Sequence, residues 1–177
     1  KLHIRKYALH TKIVLITSLI LIIGPSILFL ILERHALFAD MNTPQAILNA
    51  LFCAVTPRTP GFNTTDIASL SQSSQLLTII LMFIGGCPGS TAGGAKVTTI
   101  TVLILYLRSM LTRTDGVNIF KRRLEDEAVS KAAAVFTTHM LLAVAATFLI
   151  SMQQDLDLTV IVFDVVSAVS TVGMSTG

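Results

Sequence analysis

The chain has 177 residues, of which 53% are hydrophobic and only 13% are charged, and its formal net charge is +3. Its mean hydropathy is +0.76. A soluble domain has about 25% charged residues, so the composition excludes an ordinary soluble protein and favours an integral membrane protein. In such a protein, the positions of the basic residues predict topology rather than nucleic-acid binding.

Three apolar stretches follow one another along the chain. Residues 13–32 and 132–152 contain no Asp, Glu, Lys or Arg, and each is long enough to cross a hydrocarbon core of about 30 Å as a helix. The first stretch is longer than the apolar region of a signal peptide, so we interpret it as a retained span. Residues 76–111 would measure about 54 Å as one continuous helix, so this stretch must break, tilt or continue into the cytosol.

The distribution of charge predicts which segments face the cytoplasm. The only basic residues in the segments assigned to the outside are Arg34 and Arg58. By the positive-inside rule, the N-terminal residues and the loop 112–131 are cytoplasmic, as expected of a multi-pass protein of the cell membrane. The stretch 121–127 is either a docking face for a cytosolic partner or a solvated loop at anionic lipid headgroups. The basic residues predicted to lie inside are Lys1, Arg5, Lys6, Lys12, Arg108, Arg113, Lys121, Arg122, Arg123 and Lys131.

A short helix is predicted between the first two spans. Thr43 as N-cap and Pro44 at the first helical position form a helix start. The helix 44–55 is too short to cross a membrane, but its length suits a re-entrant pore helix. The loop 56–62 ends it, and the polar run 63–75 returns the chain to the outside.

The same pattern returns after the third span. The short helix 158–168 is followed by the loop 170–175, and the two units align at constant spacing. The matched pairs are Thr59 with Thr171, Gly61 with Gly173, and Thr64 with Thr176.

Such a repeat of span, short helix and glycine-containing loop suits cation conduction. Extended loops that meet at one axis replace the hydration shell of a monovalent cation with carbonyl oxygens. The C-terminal dipole ends of the short helices point at the same cavity, and this favours cations over anions. The sequence therefore predicts an all-α pore protein in which backbone carbonyls bind the ion.

Three stretches of the chain resemble one known family. Thr171, Val172 and Gly173 match the start of the potassium-channel filter sequence TVGYG. Together with the loop 56–64 and the glycine-rich stretch 85–96, they resemble the Trk/Ktr/HKT superfamily of potassium transporters. The basic loop 121–123 is more similar to the Ktr branch than to the Trk branch. The family fold consists of four repeats of span, pore helix, filter loop and span around one pore. The resemblance implies that residues 1–111 form the third repeat, with a broken inner helix 76–111, and that residues 132–177 form an incomplete fourth repeat.

The resemblance also implies the transported ion, the partners and the functional residues. K⁺ is the expected ion, without an organic cofactor or catalytic residues, and the expected partners are a second copy of the subunit, membrane lipids and a cytosolic nucleotide-binding regulatory ring. The filter residues are expected to be Thr59, Pro60, Gly61, Phe62, Thr171, Val172, Gly173 and Met174. The expected intramembrane gate consists of Gly85, Gly86, Pro88, Gly89, Ser90, Thr91, Ala92, Gly93, Gly94 and Lys96.

The glycine-rich stretch has two other interpretations. It resembles a phosphate-binding loop in composition, but Ala95 separates Gly94 from Lys96, Val97 replaces the required Ser or Thr, and an apolar helix precedes it instead of a strand. Packing of small residues between membrane helices is the second interpretation. So many glycines together with Pro88 do not sustain a helix, and this favours an unwound loop beneath the filter.

Four polar residues in the predicted spans, short helices and loops have open roles. Lys96 either faces the pore, where its charge opposes cations, or reaches the cytoplasmic headgroups and anchors the next helix. Arg58, beside a cation filter, needs an acidic partner that the sequence does not identify. Asp164 either attracts cations or pairs with a basic residue such as Arg58, and for His139 a structural hydrogen bond is favoured over proton coupling.

The leading hypothesis is K⁺ uptake through a carbonyl-lined filter with a glycine-rich gate. One alternative is an ion-coupled secondary transporter with a substrate site at the broken helix. The others are a Na⁺-permeable member of the same family and a non-conducting membrane scaffold. No enzymatic activity is expected. Cys53 and Cys87 are expected to be small buried residues.

Overall fold

A computed structural model describes residues 9–58, 61–90, 93–112, 118–119, 122–123 and 126–176. The predicted site residues Thr59, Pro60, Thr91 and Ala92 lie outside the described residues, as does most of the loop 112–125. The helices are α1 (Leu9–Leu32), α2 (Thr43–Val55), α3 (Gln72–Ile84), α4 (Val97–Leu111), α5 (Asp126–Ser151) and α6 (Leu158–Val169). Two short 3₁₀ turns follow α2, at Thr56–Arg58 and Ile67–Ser69.

The prediction of a helical fold is confirmed for the described residues. The described part adds one small feature, an antiparallel ladder in which β1 (Asn118–Ile119) pairs with β2 (Arg122–Arg123) between α4 and α5. Two helices are long and apolar enough to cross a membrane, within the ranges Thr11–Leu32 and Glu127–Ser151. Their mean hydropathies are 2.7 and 2.0, and most of their side chains are not covered by the rest of the chain.

Both long helices begin earlier than the predicted spans. Helix α1 begins at Leu9 and α5 at Asp126, whereas the apolar runs begin at residues 13 and 132. In the first turns of α5, Lys131 Nζ lies 2.7 Å from Glu127 Oε1, an i,i+4 ion pair that supports an exposed helix. Each helix therefore continues through charged residues beyond its apolar run. A search for uncharged runs alone underestimates the length of the helix.

The start of α2 differs from the prediction by one residue. The N-cap is Asn42 rather than Thr43, because Asn42 has an extended backbone (φ −63°, ψ 148°) and its carbonyl accepts from the Ala46 amide at 2.9 Å. Pro44 lies in the first turn, where no amide is needed. Helix α6 ends at Val169 and runs directly into the glycine-containing loop.

Helix α3 joins the two halves of the molecule. Leu81 belongs to a core with Phe29 of α1 and Ala54 of α2, while the adjacent Met82 belongs to a second core with Phe163 and other residues of α6. All five side chains are at most 1% exposed. Because neighbouring positions of one helix face different cores, the two short helices pack on different faces of α3.

A buried carboxylate connects α1 to α3. Glu33 follows the last residue of α1 and is fully buried. Its Oε1 accepts hydrogen bonds from the Ser71 amide at 3.0 Å and the Ser71 hydroxyl at 2.6 Å. Ser71 is the N-cap of α3, and its hydroxyl accepts from the Ser74 amide at 3.3 Å. The carboxylate therefore lies at the positive dipole end of α3, where a negative charge is stabilised.

These contacts change the pKa of Glu33. Burial alone would raise the pKa of the carboxyl, but the hydrogen bonds from Ser71 and Ser74 outweigh burial and lower the pKa below its ordinary value of 4.5. A carboxyl whose folded pKa is lowered stabilises the fold above its unfolded pKa. That stabilisation is lost as the pH falls through the folded value.

Replacement of this carboxylate should destabilise the protein. We expect Glu33→Gln to lower the free energy of unfolding by about 1.5–3 kcal/mol, the usual contribution of a hydrogen bond to a charged group. Thermal unfolding in detergent at neutral pH measures the effect. Asp40→Asn is the matched control, because Asp40 is an exposed carboxylate in the same connection.

The difference between wild type and Glu33→Gln should shrink as the pH falls below 4.5, the ordinary value. A difference that stays constant through that range would show that the carboxylate charge does not stabilise the contact.

Candidate functional site

The loop after α2 is folded back on its own helix. The Thr56 hydroxyl donates to the Phe62 carbonyl at 2.5 Å, which closes the turn that contains Gly61. Beyond the turn, the Thr64 hydroxyl donates to Asn49 Oδ1 on α2 at 3.0 Å. The predicted filter residues Gly61 and Phe62 therefore lie in a loop that side chains hold at both ends.

The loop after α6 is held in a similar way by different residues. The Val172 amide donates to the Ser167 carbonyl at 2.9 Å, and the Met174 amide donates to the Ser167 hydroxyl at 2.8 Å. Asp164 then accepts from the Ser175 hydroxyl at 3.1 Å and the Thr176 amide at 3.3 Å. After both short helices, a polar side chain of the helix thus binds the segment that follows the predicted filter glycine.

The two loops lie side by side. Gly61 has a φ of +63°, and a Cβ added there would overlap the carbonyl oxygen of Val172. Gly173 also has a positive φ, +82°, but a Cβ there would meet no atom within 4 Å. Glycine is therefore required at position 61 by both conformation and space, and at position 173 by conformation alone.

The glycine-rich segment lies against the second of these loops. Helix α3 ends at Ile84 with Gly85 as its C-cap, and α4 begins at Val97. The Gly93 amide donates to the Ser170 carbonyl at 3.1 Å and to Thr171 Oγ1 at 2.7 Å. The Ala95 amide donates to the Phe83 carbonyl at 3.2 Å, so the segment folds back onto the end of α3. The structure thus brings together predicted gate residues and predicted filter residues.

Lys96 binds within its own segment. Its Nζ donates to the Ser90 carbonyl at 3.2 Å, and its side chain is half-buried at the N-cap of α4. The ammonium group therefore bridges the two ends of the stretch 90–96. Nearby, Cys87 Sγ lies 3.3 Å from the Ser18 hydroxyl of α1, and Thr17 and Thr101 join α1 to α4 at 3.1 Å.

Arg58 and Asp164 are not paired with each other. No ion pair joins them among the described residues, and Asp164 binds Ser175 and Thr176 instead. The Nε and Nη2 atoms of Arg58 are buried without a hydrogen-bond partner in the described part of the chain. His139 Nδ1 lies 2.9 Å from the Val135 carbonyl, one turn earlier in α5, so its hydrogen bond is local to that helix.

Two of these contacts were not predicted. The role of Asp164 in holding residues 175–176 has no signal in the sequence, because the constant spacing aligns Asp164 with Phe52, whereas Asn49 makes the contact with Thr64. The contact between Gly93 and Thr171 joins residues 78 positions apart. No local pattern in the sequence indicates it.

Comparison with known proteins identifies the family. The TrkH family model, described as cation transport protein, matches residues 6–177. The chain is 36% identical to the potassium/sodium uptake protein NtpJ of Enterococcus hirae, over 98% of this chain and 40% of that protein.

Two further relatives are potassium uptake proteins B of the Ktr system. The identity is 33% for the protein of Vibrio alginolyticus, over 96% of this chain and 38% of the relative. The identity is 31% for the protein of Bacillus subtilis, over 98% of this chain and 39% of that relative. The chain thus spans about two fifths of the length of these relatives, and it belongs to the TrkH family of cation transport proteins, membrane transporter subunits and not enzymes.

Proposed function

We propose that the chain forms half of a K⁺ uptake pore in the cell membrane, with the loops 59–62 and 171–174 as two of its filter segments. The observation that carries this proposal is the close approach of Gly61 to the Val172 carbonyl. Two loops that each follow a short helix approach each other closely, with Gly61 of one against the Val172 carbonyl of the other, as loops around a shared axis would.

Helix dipoles support a cation as the ligand. Helices α2 and α6 both end at these loops, at Val55 and Val169. The C-terminal end of a helix carries about half a negative charge, and two such ends near one axis lower the energy of a cation there. The loop carbonyls then replace part of its hydration shell.

The names of the relatives support K⁺ as the ion. The two Ktr proteins are named for potassium uptake, and the Enterococcus hirae protein is named for uptake of potassium and sodium. We therefore propose K⁺ as the principal substrate. Permeability to Na⁺ is the second outcome that a selectivity measurement distinguishes.

The glycine-rich segment is proposed to be the gate. Its described residues 85–90 and 93–96 lie between α3 and α4 and contact the fourth-repeat loop at Ser170 and Thr171. The positive-inside rule assigns Lys12, Arg108 and Lys131 to the cytoplasmic side. With this orientation, the proposed gate contacts the filter at its inner end. A loop in that position blocks ions with its own backbone.

Substitution at the second filter glycine should reduce selectivity. We expect Gly173→Ser to lower the K⁺/Na⁺ preference about tenfold, because a positive φ costs a residue with a Cβ about 1–2 kcal/mol and the carbonyl turns away. Competition between the two cations in flux assays on the full-length protein measures it. The control is Gly24→Ala in α1, where an added Cβ meets no atom within 4 Å. An unchanged ratio in Gly173→Ser would contradict a filter at this position.

Removal of part of the glycine-rich segment should raise conduction. We expect deletion of residues 88–93 to increase K⁺ flux and to weaken its dependence on any regulator, because the backbone that closes the cavity is gone. Selectivity should change less, since the filter carbonyls lie elsewhere. If the variant inserts normally and its flux is unchanged or lower, the segment serves packing rather than gating.

The proposed assembly is a homodimer bound to a cytosolic nucleotide-binding ring. The Ktr system names of two relatives support a multicomponent complex, and the basic inner segments offer a docking face. We expect the full-length protein purified from its native membrane to retain a cytosolic subunit, and nucleotide to change its K⁺ flux. Recovery as a monomer whose flux does not respond to nucleotide would contradict this assembly.

A further inference from the structure

The hydroxyl of Thr171 links the glycine-rich segment to the fourth-repeat loop. One amide, that of Gly93, is shared between Thr171 Oγ1 at 2.7 Å and the Ser170 carbonyl at 3.1 Å. Shared donors of this kind are common where helices end, but here the donor and its acceptors belong to different repeats. The shorter of the two bonds is made by a side chain, so a substitution can remove it without altering the backbone.

The surfaces that carry this bond are in close contact. A Cβ added at Gly93 would lie 2.8 Å from the Ser170 carbonyl carbon and 3.0 Å from Thr171 Cγ2. Both distances are too short for an ordinary contact, so the segment approaches the loop as closely as a glycine backbone allows. This is the second observation that joins the two segments.

Thr171 itself has an unusual backbone. Its φ is 56°, the only positive value outside glycine among the described residues. Such a conformation is unfavourable for a β-branched residue and persists where its surroundings impose it. The Thr171 amide donates to the Ala168 carbonyl at 3.0 Å, which restrains the residue from the helix side, and Gly93 restrains it from the other.

We propose that Thr171 is a positioning residue, whose hydroxyl latches the glycine-rich segment to the filter loop so that the gate and the filter change conformation together. This inference rests on the proposed cation pore. When the segment withdraws, Thr171 loses a hydrogen bond that restrains its left-handed backbone. The loop next to Val172 and Gly173 then relaxes in the same step. When the segment returns, Gly93 restores the restraint.

The test compares Thr171→Val with Thr171→Ser. Valine keeps the shape of threonine without the hydroxyl, whereas serine keeps the hydroxyl. In full-length protein reconstituted in liposomes without a regulator, we expect Thr171→Val to raise K⁺ flux about two- to tenfold, the range set by loss of one hydrogen bond. Thr171→Ser should raise the flux less than Thr171→Val, because serine keeps the hydroxyl that accepts from the Gly93 amide. Thr138→Val is the matched control, because the Thr138 hydroxyl binds only the Ala134 carbonyl of its own helix in the described structure.

A second background separates the latch from a direct effect on the filter. Deletion of residues 88–93 removes the partner of Thr171, so Thr171→Val should change flux in the complete chain but not in the deletion variant. Equal fold-changes in the two backgrounds would overturn the latch, because Thr171 would then act on the filter alone. If the deletion variant does not insert, Gly93→Ala replaces it, since its Cβ separates the two segments.

The outcome also distinguishes this inference from the proposed function. A deletion that leaves flux unchanged would overturn the proposed gate, and the latch with it. A deletion that raises flux, combined with Thr171→Val acting equally in both backgrounds, would keep the gate and overturn only the latch. Rescue by Thr171→Ser, together with a loss of the valine effect in the deletion background, supports the latch.

Discussion

A buried backbone amide outside a helix needs a hydrogen-bond partner, because a bilayer core offers no water. In this chain the Gly93 amide donates to Ser170 and Thr171 of a distant segment, and the Val172 amide donates to Ser167 of the helix just before it. The glycine-rich segment is therefore held by the loop after α6, and that loop is held by its own helix. The two loops and the glycine-rich segment form one interdependent unit, and the helices around them supply rigid ends.

Different polar side chains hold the loops that follow the two short helices. In the first, Asn49 accepts from the hydroxyl of Thr64, and in the second, Asp164 accepts from Ser175 and from the amide of Thr176. A carboxylate forms stronger hydrogen bonds than an amide, so the second loop is held more firmly. The firmer loop is also the one that the glycine-rich segment contacts, and a firm loop gives the segment a defined surface to close against.

Periodic and local patterns in the sequence predict the helices and loops well. Apolar runs, the proline at the start of α2 and the glycines at 61 and 173 act within a few residues, so they are visible without a structure. The long-range contacts are different. Nothing near Glu33 indicates that it binds Ser71, and nothing near Gly93 indicates Thr171, because the partners meet only after α3 and α6 have packed. Asp164 was predicted to attract cations or to pair with a basic residue, whereas its partners are loop groups next to it.

The carboxylate of Glu33 also constrains the order in which the chain is assembled. Its partner Ser71 follows 38 residues later. At a synthesis rate of about 5–20 residues per second, α1 and α2 wait roughly 2–8 s before that partner is made. During this interval water solvates the carboxylate in place of Ser71. The link between α1 and α3 therefore forms only after α2 has been synthesised, and until then α1 and α2 are joined by their own contacts alone.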